Sequence, residues 1–153
     1  MKRILCYILI LNALWFVPLD RIDIADLAPV RGVWLSVEEG NLTLETDTGA
    51  RGTGTTVEEA LQNLKKTSLG IVYLDTAEYV LLSESAIEHI GGLIPYIKQS
   101  AHLCLWDGEG EIETAIKYAH AHKLGTKIRH WKTDVKLPNL PPQKDEKKGG
   151  MPS

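Results

Sequence analysis

The stretch Gly49-Ala50-Arg51-Gly52-Thr53-Gly54-Thr55-Thr56 is the first candidate for chemistry. It precedes a helix pattern, and backbone N–H groups at a helix start, aided by the helix dipole, can hold an anion. The Gly-Lys-Ser/Thr ending of a phosphate loop is missing, and the glycine spacing is not that of a dinucleotide site. A flexible connection closing in a threonine cap is the first reading. A mobile loop for an anionic ligand or a partner, built on Gly52, Gly54, Thr55 and Thr56, is the alternative. Histidine offers less. His120 and His122 lie two apart on an expected helix, about 200° around its axis, so a shared metal is disfavoured. Cys104 stands between Leu103 and Leu105, with His102 two residues earlier on the same strand face. A nucleophilic cysteine needs a base and an electropositive setting, and this apolar run suits a buried thiol better. The pairs Glu38-Glu39, Glu58-Glu59 and Glu109 with Glu111 fit turns and helix starts. No catalytic residue, metal site or cofactor site is assigned.

The elements that must position these residues follow from hydrophobic periodicity. Val30 to Ser36 reads as a strand and Leu42 to Asp47 as a second, with Leu42, Leu44 and Thr46 on one face. Glu39-Gly40-Asn41 supplies hairpin turn chemistry between them. Thr55 with Glu58, or Thr56 with Glu59, makes a capping box ahead of the stripe Val57, Ala60, Leu61 and Leu64. Ile71 to Leu74 and Tyr79 to Leu82 are continuously apolar, the mark of strand buried on both faces, with a bend at Asp75-Thr76. A helix opening at Ser85 turns Ile87, Ile90, Ile94 and Ile97 inward, weakened by Gly91, Gly92 and Pro95. His102 to Trp106 is a strand, and Glu111 to Lys123 a helix packing Ile112, Ala115, Ile116 and Ala119. Helices between strands imply parallel crossovers. The expected fold is α/β: a mixed sheet of about four strands with three helices, preceded by an N-terminal apolar helix.

The chain has 153 residues, net charge −3 and 44% hydrophobic content, which suits one globular domain. That charge argues against a nucleic-acid groove, whose phosphates require clustered Lys and Arg. Trp34, Trp106 and Trp131 are expected to pack the fold, with Trp131, among Lys127, Arg129, His130 and Lys132, also suited to a membrane or partner surface. Lys2 and Arg3 precede Ile4 to Leu19, an apolar run interrupted only by Asn12. It is at the short end for a helical span, close to a signal-peptide core, and has no small-x-small cleavage site, so residues 1–19 are expected to be a signal anchor, uncleaved, in preference to a signal peptide. A buried strand or helix at the N-terminus is the alternative. Residues 20–125 then form the α/β domain, with Arg21 to Leu27 as a helical turn at its start. Residues 126–153 form a basic transition and a Pro- and Lys-rich tail, disordered from Leu137 onward.

Asp20-Arg21-Ile22-Asp23-Ile24-Ala25-Asp26-Leu27-Ala28-Pro29-Val30-Arg31-Gly32 resembles the opening of the C subunit of spore germinant receptors, the Ger(x)C lipoproteins. In that family an Asp-Arg-x-Glu/Asp-Ile-x-x-Leu-Ala-x-Val-x-Gly stretch follows the lipid-bearing Cys-Trp. Gly54-Thr55-Thr56-Val57-Glu58-Glu59-Ala60-Leu61 is similar to the family's Gly-Thr-x-x-Glu-Ala-Leu phrase, and the run Tyr79 to Glu84 to its apolar strand with a polar-acidic close. The likeness covers roughly residues 4–124. Pro18-Leu19 stands where the family has Cys-Trp, which leaves the apolar helix itself as the anchor. The resemblance implies a non-catalytic, extracytoplasmic protein-interaction domain at the spore inner membrane, with other germination-receptor membrane proteins as partners. The alternative is a small enzyme or ligand-binding domain using Gly49 to Thr56 for an anionic ligand.

Overall fold

The computed structural model describes residues 27–68 and 70–142. The expected anchor at residues 1–19, nearly all of the turn at 21–27 and residues 143–153 of the tail lie outside them. Leu27, the last residue of that turn, opens a strand instead: β1, Leu27–Pro29. Among the described residues no helix is long and apolar enough to cross a membrane.

The fold is α/β with a mixed sheet. Strands β2 (Gly32–Glu38) and β3 (Asn41–Thr46) pair antiparallel through a two-residue turn, Glu39-Gly40, with φ of 50° and 81°. Positive φ at both turn positions matches the twist of the flanking strands, and Gly40 adopts it without a Cβ penalty. Strand β4 (Arg51–Gly54) extends the hairpin, and helix α1 (Val57–Thr67) follows. Strand β5 (Ile71–Tyr73) leads through a 3-10 turn at Leu74–Thr76 to β6 (Tyr79–Leu82). A 3-10 segment Glu84–His89, a single α turn α2 (Ile90–Leu93) and another 3-10 turn Ile94–Tyr96 connect to β7 (His102–Leu105). Helix α3 (Ile112–Ala121) and the short β8 (Thr126–Lys127) complete the elements.

The main sheet has the order β4-β3-β2-β6-β7-β8, with β2, β6 and β7 parallel and the others antiparallel to their neighbours. Helices cover both sides. Val33, Leu35, Leu42, Leu44, Val80, Leu82 and Leu103 meet α1 and α2 in one cluster. Tyr79, Leu81, Cys104 and Trp106 meet the Ile112, Ala115, Ile116 and Ala119 stripe of α3 in the other. Burying Val, Leu and Ile side chains on both sides supplies on the order of 1.5–3 kcal/mol per residue against chain entropy.

Several expectations change. Among the described residues there are six strands in the main sheet and two in a separate pair, not about four. The expected half-buried alternation of β3 is incomplete, because Thr43, on its second face, is also buried. Ile71 to Tyr73 is not a strand buried on both sides: it pairs only with β1, in parallel, and leaves Ile71 and Tyr73 exposed. The second helix is broken, and Ala86 and Leu93 are buried where Ile87 and Ile94 are only half-buried. A 3-10 turn has three residues per turn, so the inward face drifts off the 3.6 stripe.

The domain does not end at residue 125. β8 adds to β7, Ile128 is buried, and Leu137 and Leu140 enter the two clusters. Leu105 N–H donates to Pro138 O, and Leu140 N–H to Leu105 O, each at 2.8 Å. Residues 137–140 therefore belong to the fold and not to a disordered tail.

Candidate functional site

Gly52 and Gly54 lie within β4, not in a flexible loop. They face α1: a Cβ on Gly52 would run into the Ala60 carbonyl and the Leu64 amide, and one on Gly54 would lie 2.6 Å from the Ala60 amide. The glycines let a helix backbone seat directly on a strand. The outer edge of β4 is also occupied, since Asn63 Nδ2 donates to Thr53 O (2.8 Å) and Thr67 Oγ1 to Arg51 O (2.6 Å). Helix side chains thereby take acceptors that an open strand edge would offer another chain.

Of the two capping boxes the sequence allows, the threonine half of the Thr56–Glu59 one is formed. Thr56 Oγ1 accepts the Glu59 N–H at 3.2 Å. The Glu59 carboxylate reaches back one residue further than the cap, taking both the N–H and the hydroxyl of Thr55 at 2.8 Å. These two hydrogen bonds from Thr55 hold the Glu59 carboxyl below the ordinary carboxylate value. The helix start thus already carries an anion from its own chain, and an external one has to compete with it.

Cys104 and His102 do share a face, and both flank the backbone of Gly125. A Cβ built there would lie 3.1 Å from Cys104 Sγ and 3.3 Å from His102 Nδ1. Burial acts on the thiol first: Cys104 is fully enclosed, and desolvation pushes it up to about 12. At neutral pH it is a thiol and not a nucleophile. The His102 ring lies 5.5 Å from that of Tyr79, and its Nδ1 is buried without a hydrogen-bond partner. Burial raises the Tyr79 hydroxyl as well, with the nearby Cys104 adding to the effect.

The other histidines of the candidate pair diverge. His120 meets the edge of Tyr79 at 6.2 Å, whereas His122 stacks on Tyr118 at 4.1 Å. Among the described residues no group of three or more His, Cys, Asp or Glu is arranged to hold a metal ion. Trp34 and Trp106 pack edge to face at 5.1 Å, and Trp131 packs half-buried against the larger core cluster. The tryptophan pair floors an acidic cleft of about 400 Å³ that includes Glu45, Asp47, Glu111 and Glu113. Asp47 accepts the Arg31 N–H at 3.2 Å, but burial outweighs that bond and raises its carboxyl.

Periodicity missed a second surface. Leu61, Lys65, Ile71, Tyr73, Leu74 and Tyr96 line a largely apolar groove of about 490 Å³. Ile71, Tyr73 and Tyr96 are three of the four large hydrophobic side chains exposed among the described residues. The signal was hidden because Ile71-Val72-Tyr73-Leu74 is apolar at every position, so an exposed alternate face leaves no polar mark. The structure thus defines an α/β domain with helices on both sides of a mixed sheet. No family model matches the chain, and no curated protein or solved structure is significantly similar to it.

Proposed function

We propose that the chain is a membrane-tethered, non-catalytic interaction domain, held on the extracytoplasmic side by Ile4 to Leu19 and working with membrane proteins of a germinant-receptor-like assembly. The observation that carries this is the apolar run itself, set behind Lys2 and Arg3 and ended by Asp20 and Arg21. Transfer of such a run into a bilayer is favourable, and the cations hold its start on the cytoplasmic side. The germination role is supported by the likeness of Asp20 to Gly32 to Ger(x)C subunits. Thr56, Glu59 and Cys104, the groups with most chemical promise, are engaged in capping and packing.

Fractionation tests the tether. Full-length protein is expected in the membrane pellet, resistant to carbonate and released by detergent, with its domain digested when protease is added outside protoplasts. Recovery of intact protein in the soluble fraction overturns it. Deletion of the gene is expected to slow germination without reducing spore yield, and unchanged germination overturns the germination role alone.

A further inference from the structure

The described chain enters the fold beside its most apolar surface. β1 runs parallel to β5 in the register Leu27↔Ile71, Ala28↔Val72 and Pro29↔Tyr73. The segment upstream of Leu27 therefore arrives at the Ile71 end of β5. Ile71 is 45% exposed, Tyr73 37% and Tyr96 41%, and all three line the groove described above. Single exposed hydrophobics need no explanation, but a cluster around one concavity marks a contact surface.

What covers it follows from the length of chain outside the structure and where that chain ends. Residues 20–26, seven in all, separate the apolar run from β1. Leu19 and Leu27 are thus eight residue steps apart, which fully extended span at most about 29 Å. The surface that receives Ile4 to Leu19 consequently lies within that distance of Leu27, and within one strand spacing (about 5 Å) more of its partner Ile71. The side chains suit a bilayer interface. Tyr73 and Tyr96 carry an apolar ring with a polar tip, and aromatic residues of this type favour the headgroup boundary. Lys65 and Asp75 both line the groove, and Lys98, just past the Ile94–Tyr96 turn, donates to Thr76 O at 3.2 Å and leaves the cations in excess of the one acid there. Long basic side chains lay their stems on apolar surface and direct the charge to headgroups. The acidic residues of α1, Glu58 and Glu59, sit in its first turn, at the end away from Lys65 and Lys66.

We infer that the groove bounded by Ile71, Tyr73 and Tyr96 is apposed to the lipid surface, so that the tethered domain lies on the membrane with β5 facing the headgroup–acyl boundary. This rests on the tether proposed above and adds an orientation to it. The contact is made within one tethered molecule, where a high effective concentration lets a small patch suffice.

The test uses the full chain reconstituted in phosphatidylcholine–phosphatidylglycerol vesicles. An environment-sensitive dye is attached in a Cys6→Ser background through Tyr96→Cys or, separately, Thr53→Cys, an exposed position on β4; the enclosed Cys104 stays unlabelled. Tyr73→Cys provides a second groove position should Tyr96→Cys fold poorly. The groove labels are expected to be quenched several-fold more strongly than the Thr53 label by lipids brominated on the acyl chain. Equal quenching in protein that floats with the vesicles overturns the orientation and leaves the tether standing. Groove labels shielded from aqueous iodide but unquenched by brominated lipid show that protein fills the groove, which also overturns it. Failure to float removes the tether and the orientation together.

Discussion

Cys104 and His102 show how far residue types and spacing reach. Strand alternation puts them on one face, and the structure brings both beneath Gly125. That the thiol is buried was legible from Leu103 and Leu105 on either side; how far burial raises it was not, because that depends on the α3 side chains and on Gly125, which are remote in sequence. Enclosure raises Cys104 from an ordinary 9.0 to about 12, so the folded thiol holds its proton where the unfolded one loses it. Below pH 9 both states are protonated and the group leaves stability unchanged. Between pH 9 and 12 the unfolded state is favoured, by about 1.4 kcal/mol for each pH unit. Tyr79, raised in the same sense, steepens the loss above pH 10. Urea midpoints measured from pH 8 to 11 should fall, and Cys104→Ala should flatten the slope. An identical slope in that variant would exclude the thiol as its source. Native protein at pH 8 should also resist iodoacetamide at Cys104 until denaturant is added.

At the scale of elements, the capped helix and the hairpin were visible because side chains announced them: Thr56 with Glu59, and Gly40 behind Glu39. β4 was not, since two of its four residues are glycines and the face they turn to α1 has no side chain to reveal a period. Gly52 tests the packing this implies. Gly52→Ala places a methyl against backbone atoms of Ala60 and Leu64, which cannot swing aside as a side chain can. Overpacking of this kind typically costs about 1–3 kcal/mol, and with backbone as the obstacle the upper end is expected. Gly91, exposed in the α2 turn, has nothing within 4 Å of an added Cβ. There Gly91→Ala should be neutral or stabilise by up to about 1 kcal/mol through the lower entropy of the unfolded chain. Urea denaturation of both variants separates the cases, and a tolerated Gly52→Ala would mean that the helix does not sit on β4 as described.

At the largest scale the described residues form a main sheet with a core on either side, and residues 137–140 join the two cores. Leu137 belongs to the cluster under α1 and α2, and Leu140, 1% exposed, to the cluster under α3. Between them Asn139 bridges Leu105, the last residue of β7, beyond the point where the two-residue β8 has ended. Composition could not foretell this. Pro138, Pro141 and Pro142 lower the local signal for regular structure, while a strap needs only two apolar residues and two backbone hydrogen bonds at the right places. Because the strap touches both cores, loosening it should weaken both. Leu140→Ala should lower stability by about 2–5 kcal/mol, the usual range for a buried leucine truncated to alanine. With Trp15→Phe and Trp131→Phe made in both the wild-type chain and the variant, near-ultraviolet dichroism of the Trp34–Trp106 pair reports the α3 side, and far-ultraviolet dichroism the secondary structure as a whole. The two urea curves should superimpose in the wild-type chain and shift together in the variant, as a single cooperative unit requires. A variant whose tryptophan signal melts early while the far-ultraviolet curve keeps its wild-type midpoint would show two cores that fold independently, with the strap serving only one.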